Sequence, residues 1–111
     1  MAVPFKAPVK DITFGYEVID SYNILNKISE FSDFSEDIVI PTMEECAKFS
    51  EEVLAPINAI GDQQGATIDN GVVKMPQEFV DAYKKFAEAG WASISLPEEI
   101  GGGGQPITLS G

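Results

Sequence analysis

The feature that most constrains this chain is one amphipathic run across residues 36 to 57. At about 100° per residue, Val39, Met43, Cys46, Ser50, Val53 and Ile57 fall on one narrow line, and Ala47 and Leu54 widen it. Glu44, Glu45, Lys48, Glu51 and Glu52 fall on the other side. The pattern predicts one long helix, roughly Glu36 to Ile57, with a solvated acidic back. Pro41 belongs in its first turn, where a missing N–H costs least. Pro56 is expected to end or kink it. A helix this long needs other elements on its apolar stripe, so the rest of the chain must supply them.

Residues 1–10 carry Pro4 and Pro8 and read as an extended arm. Asp11 is the expected N-cap of a short helix, Ile12 to Ile19, which Gly15 weakens by about 1 kcal/mol relative to Ala. Ser21 is a second expected cap, followed by Ile24, Leu25, Ile28 and Phe31 at helical spacing. Gly61 to Gly65 reads as a loop. Asn70-Gly71 between Ala66–Ile68 and Val72–Lys74 predicts a hairpin with a tight positive-φ turn. Pro76 opens a further helix with Phe79, Tyr83, Phe86 and Ala87 on its apolar face, and Gly90 stops it. Residues 91–96 form a short apolar run that could be extended. The expected fold is mostly α: one small domain, residues 1–111, of about four helices and one short β-hairpin. Its Gly-rich tail, 97–111, begins a new apolar pattern at Ile107 and Leu109 and stops, so a truncated chain is expected.

Composition narrows the chemistry. The 111 residues carry seven Lys+Arg against eighteen Asp+Glu, a net charge of −11. Such a chain is repelled by nucleic-acid phosphates and anionic lipid. There is no His, which removes Ser-His-Asp and Cys-His catalysis and His-ligated metals. The single Cys closes no internal disulfide. An unpaired thiol, no signal peptide and no span of about 18 apolar residues make the cytoplasm the expected location. Residues 31–70 hold nine acids and one Lys, which reads as a solvated face or as an acidic docking surface.

No constellation of residues offers catalysis. Glu44-Glu45 and Glu51-Glu52 point away from the apolar stripe, so neither pair has the crowding that raises a carboxyl pKa. Asp62 to Asp69 lacks the alternating ligands of a calcium loop. Gly101 to Gly104 lacks the Lys of a P-loop and the helix after a dinucleotide fingerprint. Cys46, on the apolar side beside two glutamates, reads as a core residue. Trp91 reads as a core or interface anchor.

Six segments in order nevertheless resemble one family. They are Phe5-Lys-Ala-Pro-Val-Lys-Asp-Ile-Thr-Phe14, Ala47 to Asn58, Gly61-Asp62 with Gly65, Asp69-Asn-Gly-Val-Val73, Gly90-Trp91, and Pro97-Glu-Glu-Ile-Gly-Gly102 with Gly104 and Pro106. Together they resemble the N-terminal part of an acyl-CoA dehydrogenase, in the larger branch that includes methylthiopropionyl-CoA dehydrogenase-like enzymes. The resemblance covers essentially the whole chain. It departs at Ile100, where the family has an aromatic residue, and at Gly103 and Gln105. It implies a flavoenzyme that binds FAD and oxidises acyl-CoA thioesters between the α and β carbons, and that forms a homo-oligomer. The same resemblance puts the flavin-binding segments and the carboxylate base in a middle β-domain and a C-terminal helical domain that this chain lacks. No catalytic residue is carried over, no metal is implied, and no cofactor is expected for this chain alone. Trp91, Gly101, Gly102 and Gly104 are the candidates for lining the acyl and flavin site. The alternative reading is a free-standing acidic helical module that binds a protein.

Overall fold

A computed structural model describes residues 4–111. The architecture is mostly helical with one two-stranded antiparallel hairpin, as the patterning predicts. Helix α1 (Val9–Val18) starts earlier than expected. Pro8 takes the N-cap place, its carbonyl accepts the Ile12 N–H at 3.0 Å, and Asp11 lies inside the first turn. The extended arm is therefore shorter than ten residues; residues 4–8 precede α1, and its first three lie outside the described residues. The Ala7 N–H donates to Glu51 Oε1 at 2.9 Å, and Lys6 Nζ lies 3.7 Å from Glu51 Oε2.

The chain reverses at Asp20, in the left-handed region at φ 55°. Asp20, not Ser21, sits at the N-cap of α2 (Ser21–Leu25); Ser21 is the first helical residue and is buried. The Asp20 carboxylate accepts a bond from Asn23 Nδ2 at 2.8 Å. The helical spacing expected through Phe31 ends at Leu25, and Phe31 is carried by a separate 3₁₀ turn, Ser29–Phe31.

The long helix is present with altered ends. Ser35, extended, caps α3 (Glu36–Phe49), and its carbonyl accepts the Ile38 and Val39 N–H groups, both at 3.0 Å. Pro41 is thus inside the helix and not in its first turn. The cost is small because the carbonyl it leaves unpaired, that of Asp37, is on an exposed residue. Pro56 does not end the run. A π turn, Ser50–Leu54, widens the coil just before it, a 3₁₀ turn, Ala55–Ile57, contains it, and α4 (Asn58–Gln64) continues. The wider turn relieves the clash between the proline ring and the carbonyl four residues earlier. Residues 61–64, expected in a loop, are helical. The Phe79 ring covers Gly61 so closely that a Cβ there would overlap it.

The π turn also rotates the helix register. Glu51, expected on the solvated back, is half-buried and holds the arm. Strands β1 (Thr67–Asp69) and β2 (Val72–Lys74) pair with Ile68 opposite Val73. Asn70 and Gly71 both take positive φ, at 50° and 77°, as a two-residue hairpin turn demands. Helix α5 (Gln77–Glu88) follows Pro76, and Gly90, at φ 80°, stops it. Trp91–Ser93 is a 3₁₀ turn, not a strand.

Two aromatic clusters hold these pieces. Tyr16, Phe34, Val39 and Leu109 form the buried core, flanked by Tyr22, Leu25, Phe31, Ile38, Met43 and Ile94. The rings of Tyr16, Tyr22 and Phe34 pack with centroids 5.6–6.2 Å apart. Phe49 bridges to Phe86 at 6.2 Å and to Trp91 at 6.5 Å. The C-terminal 3₁₀ turn, Ile107–Leu109, inserts Leu109 into the first cluster, and Tyr16 donates its hydroxyl to the Thr108 carbonyl at 2.6 Å.

The whole is open and flat. Its principal extents are 54 × 35 × 18 Å and its radius of gyration is 17.3 Å, against about 13 Å for a compact domain of this length. Its accessible surface is 8084 Å², against about 6,000 Å² for a folded monomer of this mass. The excess of about 2,000 Å² exceeds what one partner contributes to a standard protein interface.

Candidate functional site

The glycine segment is built by its neighbours. The 93–97 segment turns back on itself, and four successive residues lie against it. Gly102 N–H donates to the Pro97 carbonyl at 3.0 Å, Gly103 to Ser93 at 3.0 Å, Gly104 to Leu96 at 2.9 Å and Gln105 to Ile94 at 3.0 Å. Gly101 N–H donates to the Glu98 carbonyl at 2.9 Å. Side chains are excluded because the two stretches touch: a Cβ on Gly102 would overlap the Leu96 carbonyl, and one on Gly103 would lie 2.7 Å from the Ile94 carbonyl. The glycines thus serve close approach of backbone to backbone.

This decides what the loop can bind. A phosphate cradle needs several free N–H groups converging on one point. Here the amides of Gly101 through Gly104 are all taken by the chain's own carbonyls.

The loop forms one wall of a cavity of about 550 Å³. Pro41, Thr42 and Glu45 of α3 form the facing wall, and Gly90, Trp91, Ile94 and Gly101 complete it. Of the four residues singled out from the sequence, Trp91 and Gly101 therefore meet at one site. Gly104 lines a separate cavity of about 520 Å³ beside Glu30, Glu98 and Glu99. Gly102 is pinned against Leu96. Among the described residues, Glu45 is the one charged residue lining the Trp91 cavity. Lys48 lines an adjoining cavity together with Glu45, Glu52 and Trp91. Neither the spent amides nor this carboxylate suits the diphosphate of FAD. The wall suits an uncharged group packed against the indole ring.

A second, more apolar cleft of about 360 Å³ lies between α4 and α5, lined by Leu54, Ile57, Asn58, Phe79, Ala82, Tyr83 and Phe86. The sequence marks Phe79, Tyr83 and Phe86 as one helix face but gives no sign that the face stays open; Tyr83 is 71% exposed. The arm adds Phe5 to an adjoining cavity shared with Leu54 and Asn58.

Among the described residues no group of three or more His, Cys, Asp or Glu could hold a metal, and no helix is long and apolar enough to cross a membrane. Burial raises the Tyr22 phenol above its usual value of 10.0, helped by the charges of Glu36, Tyr16 and Glu17. That group belongs to the core and does not reach either cavity.

Comparison with known proteins adds one relative and no family model. The chain is 36% identical over 102 residues to 3-methylmercaptopropionyl-CoA dehydrogenase of Ruegeria pomeroyi. The match spans 92% of this chain but 17% of that protein. Over nearly its whole length, then, the chain is similar to one segment of an acyl-CoA dehydrogenase, the family to which its six ordered motifs point.

Proposed function

We propose that the chain is the N-terminal helical part of an FAD-dependent acyl-CoA dehydrogenase, and that it supplies a wall of the site and no chemistry. The observation that carries this reading is the 102-residue similarity to a much longer dehydrogenase. Two structural features support it. The chain exposes far more surface than a self-contained monomer, as a piece designed to be covered would. Its glycine loop consumes its own amides, so the flavin diphosphate must be held by residues elsewhere.

In this reading Trp91 and Gly101 present a flat apolar wall beside the acyl and flavin groups, and the middle and C-terminal domains bring the flavin, the carboxylate base and the oligomer contacts. FAD held by those domains would supply the two-electron oxidising chemistry, with the base taking the α proton. The location is cytoplasmic. The competing reading, a free-standing acidic module, calls for a closed apolar interior. Exposures of 76% at Ile68, 71% at Tyr83 and 64% at Val18 favour the first.

Purified chain, titrated with FAD and assayed with acyl-CoA thioesters and an artificial electron acceptor, is expected to bind no flavin stoichiometrically and to reduce no acceptor. A yellow one-to-one complex would overturn the proposal.

A further inference from the structure

An asparagine side-chain amide is an electrophile within reach of its own successor's backbone nitrogen. Whether the two react depends on crowding at that nitrogen, on whether its N–H is already engaged, and on how firmly the backbone is held. At Asn70-Gly71 all three conditions favour reaction. Gly71 has no side chain, and nothing lies within 4 Å of where its Cβ would be. Its N–H donates to no carbonyl among the described residues. Both residues are exposed.

The turn holds Asn70 at φ 50°, and ring closure requires it to leave that conformation. The hairpin resists this weakly. All six strand residues are exposed, and the paired Ile68 and Val73 are 76% and 63% exposed. A two-stranded hairpin without a packed face is marginal in water, so local opening is frequent. The Lys74–Asp69 contact at 2.8 Å ties the strands only through an exposed ion pair, which is weak.

The other candidate positions are protected. Asn23 and Asn26 precede Ile24 and Lys27, whose amides donate to the Asp20 and Ile24 carbonyls at 3.1 and 3.4 Å. Asn58 precedes Ala59 inside α4. Gln64 also precedes a glycine, but the Gly65 N–H donates to the Gly61 carbonyl at 2.8 Å.

We propose that Asn70 is a site of self-catalysed deamidation, at which the Gly71 nitrogen closes on the Asn70 side chain and the turn becomes an aspartyl or isoaspartyl linkage. The deprotonated Gly71 nitrogen bonds to Asn70 Cγ. The Cγ–Nδ2 bond breaks, and Nδ2 takes a proton from water and leaves as ammonia. Water then opens the cyclic imide. Opening at Cγ leaves an aspartate on an ordinary peptide bond. Opening at the main-chain carbonyl leaves the chain linked through Cγ and longer by one methylene. Nothing is oxidised or reduced. The longer linkage no longer fits a two-residue turn, which fixes the strand register, so the Ile68–Val73 pairing is lost. This proposal is independent of the proposed enzymatic role.

The test is to age the purified chain in mildly alkaline buffer beside a peptide of residues 66–76, and to map both by tandem mass spectrometry. The chain is expected to gain the mass difference between hydroxyl and amino groups at Asn70, at a rate within about tenfold of the peptide's. An isoaspartate methyltransferase with labelled methyl donor should mark the same residue, and cross-strand NMR contacts between Ile68 and Val73 should vanish in that fraction. Asn70→Asp should release no ammonia from this turn. Reaction first at Asn23, Asn26, Asn58 or Gln64, a rate below one tenth of the peptide's, no methyl-accepting product, or persistence of the Ile68–Val73 contacts in the labelled fraction would each overturn the proposal.

Discussion

Leu109 gives the sharpest test of how the chain's two ends are joined. It is 4% exposed, packed in the cluster of Tyr16, Phe34 and Val39, while Ile107 in the same 3₁₀ turn is 81% exposed. Replacing a buried Leu by Ala removes its transfer energy and leaves a cavity, together costing 2.7–5.0 kcal/mol in well-packed cores. This core is thin, with its flanking residues only half-buried, so about 3 kcal/mol is the fitting figure for Leu109→Ala. At about 4 °C per kcal/mol for a chain of this size, the melting temperature should fall by about 12 °C. Ile107→Ala removes a side chain that touches little and should stay within about 0.5 kcal/mol of wild type. The assay is urea unfolding followed by far-ultraviolet circular dichroism, with thermal melts in parallel. If Leu109→Ala and Ile107→Ala cost the same, or Leu109→Ala costs under about 1 kcal/mol, the C-terminal turn is not docked in the core.

Other consequences follow from single contacts. Tyr16→Phe deletes the bond to the Thr108 carbonyl and should cost about 1 kcal/mol, read by the same urea titration; no loss would remove that bond from the account. Glu51→Ala frees the Ala7 amide, so hydrogen exchange at Ala7 should quicken while Val39 stays protected. Gly102→Ala forces a Cβ onto the Leu96 carbonyl, which should broaden the Trp91 near-ultraviolet signal and lower stability by at least about 1 kcal/mol. Tyr22 keeps its proton in the fold above the usual pKa of 10.0. Its stabilising effect is therefore full below that pH and is lost as pH rises past it, because the unfolded chain ionises first; Tyr22→Phe should flatten that alkaline slope.

Much of this architecture is written in local patterns. The Asn70-Gly71 turn, the Pro76 start and Gly90 stop of α5, and the Val39–Met43 stripe each follow from backbone rules that act within a few residues. The departures arise where distant contacts or compensations intervene. Pro56 is accommodated by a π turn that no periodicity announces, and that turn swings Glu51 from solvent toward the arm. Leu109 looks like the start of an unfinished element, yet tertiary packing makes it core. The cavity residues were legible only in part. Trp91 and Gly101 line one cavity, whereas Gly104 lines another. The glycine run, though, reveals its purpose only when the 93–97 segment is seen lying against it and taking its amides.

The account as a whole holds that this chain alone is an uncovered slab whose missing cover lies in other polypeptide. Small-angle X-ray scattering on the monomer measures that directly. A radius of gyration near 17.3 Å is predicted; a value near 13 Å, that of a compact domain of this length, would contradict it.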